Sequence, residues 1–124
     1  MMMFVVEERG LIFDAAGRPP DERIACFTSL CVLQSGTILC GFQNGPRKHA
    51  PSSTIRLCRS MDGGNSWELL PTRFPTHLDG VPGSLAAAEM VEVRPGRLLL
   101  LATWFDRSDP DRPLFDPVTE GILK

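Results

Sequence analysis

Apolar residues fall in short runs along this chain, broken repeatedly by Gly, Pro, Asn, Asp and Ser, and no long window carries a capped apolar stripe of helical period. That pattern predicts an all-β protein. Phe4-Val5-Val6 and Leu11-Ile12-Phe13 read as two short strands, followed by turn and loop from Asp14 to Pro20. From Cys26 the pattern sharpens. Cys26 to Leu33 reads as an apolar strand, Gln34-Ser35-Gly36 as a tight turn and Thr37 to Phe42 as its antiparallel partner. A loop from Asn44 to Ser53 follows. Thr54 to Arg59 alternates as a third strand, Met61 to Asn65 must turn, and Ser66 to Leu70 runs back as a fourth.

The same unit begins again further along. Glu89 to Val93, the turn Arg94-Pro95-Gly96, and Arg97 to Ala102 mirror the first hairpin, with Gly96 where Gly36 stands, an offset of 60 residues. After a loop from Phe105 to Val118, Thr119 to Lys124 would start a third strand of this second unit. The expected organisation is an N-terminal part over residues 1–24, a four-stranded meander over 25–70 and an incomplete second meander over 84–124. Four-stranded meanders repeated radially are the blades of a propeller, and about one and a half fit into this length.

Composition narrows the function classes. Of 124 residues, 43% are hydrophobic and 23% charged, ordinary globular values, and a net charge of −2 offers no basic footprint for nucleic acid. The apolar runs, Met1 to Val6 and Leu98 to Ala102 among them, are far short of the roughly 20 residues of a membrane helix. The start lacks a basic segment followed by an apolar one, so no export signal is read and a cytoplasmic location is the default expectation. Cys26, Cys31, Cys40 and Cys58 form no C-x-x-C pair and sit in strand-like sequence, which favours buried thiols over a disulfide framework or a metal site. With only two histidines, His49 and His77, zinc is not expected, and no cofactor is.

Ser60-Met61-Asp62-Gly63-Gly64-Asn65-Ser66-Trp67 satisfies the pattern S-x-D-x-G-x-[ST]-W at every defined position. The spacing suits a hairpin turn in which an Asp carboxylate accepts backbone N–H groups, glycines take positive φ and a Trp folds back to pack. In this motif the chain resembles the sialidase superfamily of Asp-box, or BNR-repeat, proteins. The resemblance implies a six-bladed β-propeller. It implies a structural role for Ser60, Asp62, Gly64, Ser66 and Trp67, in a turn between the third and fourth strands of a blade and away from the mouth of the ring.

It also implies a glycan-directed function, in the enzymes exo-hydrolysis of sialosides with three arginines on the anionic sugar, a Tyr nucleophile activated by a Glu, and an Asp acid/base. Such a nucleophile departs from the two-carboxylate scheme of most glycosidases. This chain contains no Tyr, and its Asn44 to Ser53 loop, the expected place of the Asp, holds neither Asp nor Glu. The family motif Arg-Ile-Pro opens the innermost strand of the first blade. Counted back from Gly36 its place falls on Cys26-Phe27-Thr28, three residues after the similar Arg23-Ile24-Ala25.

The candidate ligand contacts are Arg47 and Lys48, a basic pair for a glycan carboxylate or sulfate, and Trp104, Asp106 and Arg107, an aromatic and two polar groups at the matching place of the second unit. Glu89 could turn a carboxylate to the ring axis, and neither His49 nor His77 stands out. The expected function is thus a sialidase-like propeller whose catalytic set is incomplete in this chain, the alternatives being a non-enzymatic glycan- or protein-binding propeller or a truncated product. An incomplete ring would expose Cys26 to Leu33, Leu98 to Ala102 and open strand edges, which favours self-association.

Overall fold

Gly36 and Gly96 each sit in the turn of an antiparallel hairpin, with φ of 86° and 73°, conformations that an L side chain resists. The computed structural model describes residues 3–122 and is all-β, with no α-helix among them. A short 3₁₀ turn, Pro20–Glu22, leads into β1 (Ile24–Val32), followed by β2 (Ile38–Gly45), β3 (Thr54–Ser60), β4 (Glu68–Leu69), β5 (Gly83–Arg94) and β6 (Arg97–Asp106). Strands β1 to β4 form one antiparallel meander in chain order, and β5 and β6 form a separate two-stranded sheet.

The two hairpins share one register. Ile24 pairs with Gly45 as Ser84 pairs with Phe105, and Val32 pairs with Ile38 as Glu92 pairs with Leu98, each residue shifted by the same 60 positions. Both inner strands are bulged at the same place, between Cys26 and Ser29 and between Ala86 and Ala88. The bulge accounts for part of the difference between the expected and observed start of β1. Counting back from Gly36 along a regular ladder misses the extra residue, and the strand in fact begins at Ile24, so that Arg23 directly precedes it.

The second sheet stacks on the first through a close backbone approach. A Cβ on Gly41 would lie 3.2 Å from both the Ala88 Cβ and the Met90 Cε. Ile55, Leu57, Leu85 and Ala88 form the core between the sheets, with Met90, Leu100 and Trp104 packed against them. Polar ties cross the same seam: Gln43 Nε2 donates to the Leu85 carbonyl at 3.0 Å and the Leu85 N–H to the Ser53 carbonyl at 3.0 Å. Cys31 and Leu39 are buried here, while their equivalents Val91 and Leu99 on the outer face of the second sheet are about half exposed.

The opposite face of the first sheet buries Cys40, Phe42 and Cys58 under Ile12, Phe13 and Trp67. All four cysteines are free thiols, and burial, with Cys40 directly opposite on β2, pushes the Cys58 thiol up to about 11.

Three expected strands are not formed. Phe4, Val5, Val6 and Leu11 are exposed coil, and Ile12 and Phe13 cover the sheet as coil, Phe13 against the Phe42 ring at 5.0 Å. They supply apolar cover without a ladder partner, which run length alone cannot distinguish from a strand. Thr119 to Lys124 contributes an isolated bridge, Phe115 with Ile122, and its last two residues lie outside the described residues. The second unit's strands are longer than their apolar runs suggested, because the small residues from Gly83 to Ala88 pair as well.

Candidate functional site

The meander separates two kinds of turn. Ser60 pairs with Ile38 at the Gly36 end, whereas Thr54 pairs with Asn44 at the other, so the Ser60 to Trp67 turn and the loop after Gly45 lie at opposite ends of the sheet.

At the first end the Asp62 carboxylate gathers the turn. Oδ1 accepts the Ser66 N–H at 2.9 Å and the Ser60 hydroxyl at 2.8 Å, and Oδ2 accepts the Ser66 hydroxyl at 2.6 Å. These bonds, the Ser66 hydroxyl first, hold the carboxyl at about 2, well below the usual range. Gly63 and Gly64 take φ of 73° and 97°, and the Gly64 N–H donates to the Ser60 Oγ at 2.9 Å. Trp67 folds back so that its indole N–H reaches the Gly64 carbonyl at 3.0 Å while the ring packs on the Cys40, Phe42 and Cys58 cluster. Every strong group in this turn is satisfied locally, which is the chemistry of a structural clasp.

At the other end a cleft of about 370 Å³ opens between the loop after β2 and the segment after β6. Arg47, Lys48 and His49 line it from the loop after β2, and Arg107, Asp111, Arg112 and Phe115 from the segment after β6. Arg47 and Arg107 are equivalent positions in the 60-residue repeat, each two residues beyond an equivalent paired residue, Gly45 in the first hairpin and Phe105 in the second, where the ladder runs one pair further to Asp106. The structure therefore brings together Arg47, Lys48 and Arg107 of the sequence candidates.

It does not bring Trp104 or Asp106 to the cleft. Trp104 is turned into the inter-sheet core, its indole N–H on the Thr76 carbonyl at 2.9 Å. Asp106 caps the next turn, accepting the Ser108 hydroxyl and N–H, both at 2.7 Å, and the hydroxyl bond leads in holding its carboxyl low. Glu89 lies beside β1, with the Ser29 hydroxyl 3.5 Å from its Oε2.

Arg107 is only 6% exposed. Its Nε donates to Ser84 Oγ at 2.8 Å and its Nη2 to the His49 carbonyl at 3.0 Å, which locks the guanidinium across the two loops. The other deeply buried arginine, Arg56, is matched by Glu22 at 3.2 Å. Arg107 forms no ion pair among the described residues. Burial and then Arg47 depress its pKa, with no acid to oppose them.

His49, passed over in the sequence, is half-buried with φ of 56°, and its ring lies between Phe27 at 5.2 Å and Phe115 at 5.6 Å. Phe27 also carries Lys48, whose Nζ stands 5.2 Å from the ring centre. The signal that could have found this end was the repeat itself, since applying the offset to Arg47 lands on Arg107.

Among the described residues no group of three or more His, Cys, Asp or Glu could hold a metal ion, and no helix is long and apolar enough to cross a membrane. No protein-family model, curated protein or solved structure matches the chain.

Proposed function

We propose that this chain is part of a sialidase-like, Asp-box propeller and that its cleft recognises the carboxylate of an anionic glycan. The observation that carries the recognition is Arg107, a buried guanidinium without an ion-pair partner among the described residues, held by Ser84 and His49 and lining the same cleft as Arg47 and Lys48. An uncompensated buried cation is costly, and an anion bound beside it recovers that cost. The planar fork suits a carboxylate. The propeller reading is supported by two hairpins of matching register, stacked face to face, and by the Asp-box hydrogen-bond pattern in the turn between β3 and β4. The absence of any Tyr from the 124 residues favours binding over sialoside hydrolysis for this chain by itself.

The test is titration of the chain with N-acetylneuraminic acid and with its methyl ester by calorimetry. The acid binds and the ester does not, and Arg47→Ala weakens the acid severalfold without altering the melting transition. Equal binding of acid and ester, or none of either, would reject the carboxylate reading.

A further inference from the structure

The imidazole of His49 lines the same cleft as Arg47, Lys48 and Arg107, and its Nδ1 is buried with no hydrogen-bond partner. The ring cannot easily swing away. Phe27 and Phe115 hold it from two sides, and the backbone at His49 is committed at both polar groups: the carbonyl accepts Arg107 Nη2 at 3.0 Å and the N–H points to Gln43 Oε1 at 3.4 Å. A titratable ring is thus fixed in a cleft whose other charged lining groups are Arg47, Lys48, Arg107, Arg112 and a single acid, Asp111.

We infer that His49 couples the two chemistries of this cleft, taking up a proton as a carboxylated sugar binds, so that affinity for the anion rises as the pH falls. This rests on the anion-binding reading of the cleft and adds its regulation. Without an anion, burial, then Lys48, then Arg107 hold His49 below its ordinary value, so the ring is neutral near pH 7. A carboxylate beside Arg107 offsets those cations and raises the affinity of His49 for a proton. By linkage, the proton raises the affinity of the cleft for the carboxylate by the same factor. The sign follows from the order of the two values. The bound-state value lies above the free-state value, so affinity increases as the pH falls through the bound-state value and levels off below the free-state one. A sugar carboxylic acid remains ionised over that window, since α-carboxyl groups titrate near 3.5.

The other histidine, His77, is not among the cleft-lining residues and serves as an internal control. The experiment is calorimetric titration of the full chain with N-acetylneuraminic acid between pH 5 and pH 8, in two buffers of different ionisation enthalpy, which counts protons taken up. Wild-type chain is expected to bind severalfold more tightly at pH 5 than at pH 8, with net proton uptake on binding within that range. His49→Phe keeps a ring between Phe27 and Phe115 and should bind with a flat pH profile and no uptake. His77→Phe should retain both. Should His49→Phe fail to fold, His49→Gln carries the same expectation. Binding without proton uptake, or a pH slope that survives in His49→Phe, overturns the coupling and leaves the anion site standing. Absence of binding at every pH sinks both.

Discussion

Phe27 and Ala87 occupy the same place in two successive hairpins: each sits at the bulge of its inner strand, and both have left-handed backbone, with φ of 54° and 52°. Neither is a glycine, and a bulky residue with positive φ is strained. At Phe27 the ring is engaged with His49 and Lys48. At Ala87 there is only a methyl group to lose, so Ala87→Gly should stabilise the chain by about 0.5–1 kcal/mol, read as a higher urea midpoint at unchanged slope. Ala87→Val should lower it. Stabilisation by valine would mean that the second bulge is not formed in solution.

Gly41 sets the spacing of the sheets. A Cβ there meets Ala88 and Met90 at 3.2 Å and Leu57 at 3.3 Å, and Ala88 is rooted in a buried strand and cannot retreat. Gly41→Ala should cost about 1–2 kcal/mol and Gly41→Val more, the usual range for overpacking. Chemical denaturation checks the order. A valine variant as stable as wild type would show that the second hairpin does not dock on the first.

Trp67 is half-buried, bonded to Gly64 and packed on Cys40, Phe42 and Cys58. Truncation to Ala removes apolar cover from one whole face of the first sheet. Loss of about 2–3 kcal/mol is expected, below that of a fully buried Trp because part of the ring already meets water. A loss under about 1 kcal/mol by urea melt would count against the clasp as a stabilising element.

The absence of Tyr bears on catalysis. Purified chain should release no fluorophore from an α-linked sialoside above the buffer rate, because no residue of that type is present to form the glycosyl intermediate implied by the resemblance. Sustained release that Arg107→Met abolishes would require a different nucleophile in the cleft.

Much of the first sheet was legible because its strands obey rules that are local. The Gly36 turn, the alternation of Thr54 to Arg59 and the glycines of the Asp62 turn each signal through their own residues, and the observed strands lie within a few positions of those readings. What was not legible depends on partners. Leu11 to Phe13 have the apolarity of a strand, yet they join no ladder, and Ile12 and Phe13 cover the Phe42 cluster as coil. Trp104 and Arg107, three residues apart, read as one polar-aromatic cluster, but the pleat and the strand's end send the indole into the core and the guanidinium under the loop. The bulges at Phe27 and Ala87 carry no composition signal at all, and with them went the position of Arg23. His49 reads as an ordinary loop residue, and only the folded chain places it between two phenyl rings.

Asp62 makes the acid limb of stability specific. Its carboxyl is held near 2 by the Ser66 hydroxyl, the Ser66 N–H and the Ser60 hydroxyl, against an ordinary value of 3.8. A carboxyl whose folded-state value is depressed contributes stability that is present above the unfolded-state value and lost as the pH falls through the folded-state one. The window therefore runs from about pH 4 down to about pH 2. Asp106 and Asp116 are also held low, Asp106 mainly by the Ser108 hydroxyl and Asp116 mainly by the Thr119 N–H, so they share the same acid limb and must be subtracted. Because Asp62 is fully exposed, solvent screens its charge and the test rests on the shape of the curve rather than on its height. Asp62→Asn keeps the side-chain shape but offers one carbonyl oxygen in place of the two that Ser60 and Ser66 share. The variant should melt at a lower temperature than wild type at pH 7, and the two melting curves should converge as the pH falls from 4 to 2. Ser66→Ala, which removes the first cause of the shift, should behave in the same direction with a smaller difference at pH 7. Parallel curves for wild type and Asp62→Asn across that interval would mean that the carboxylate is not the acceptor on which the turn depends.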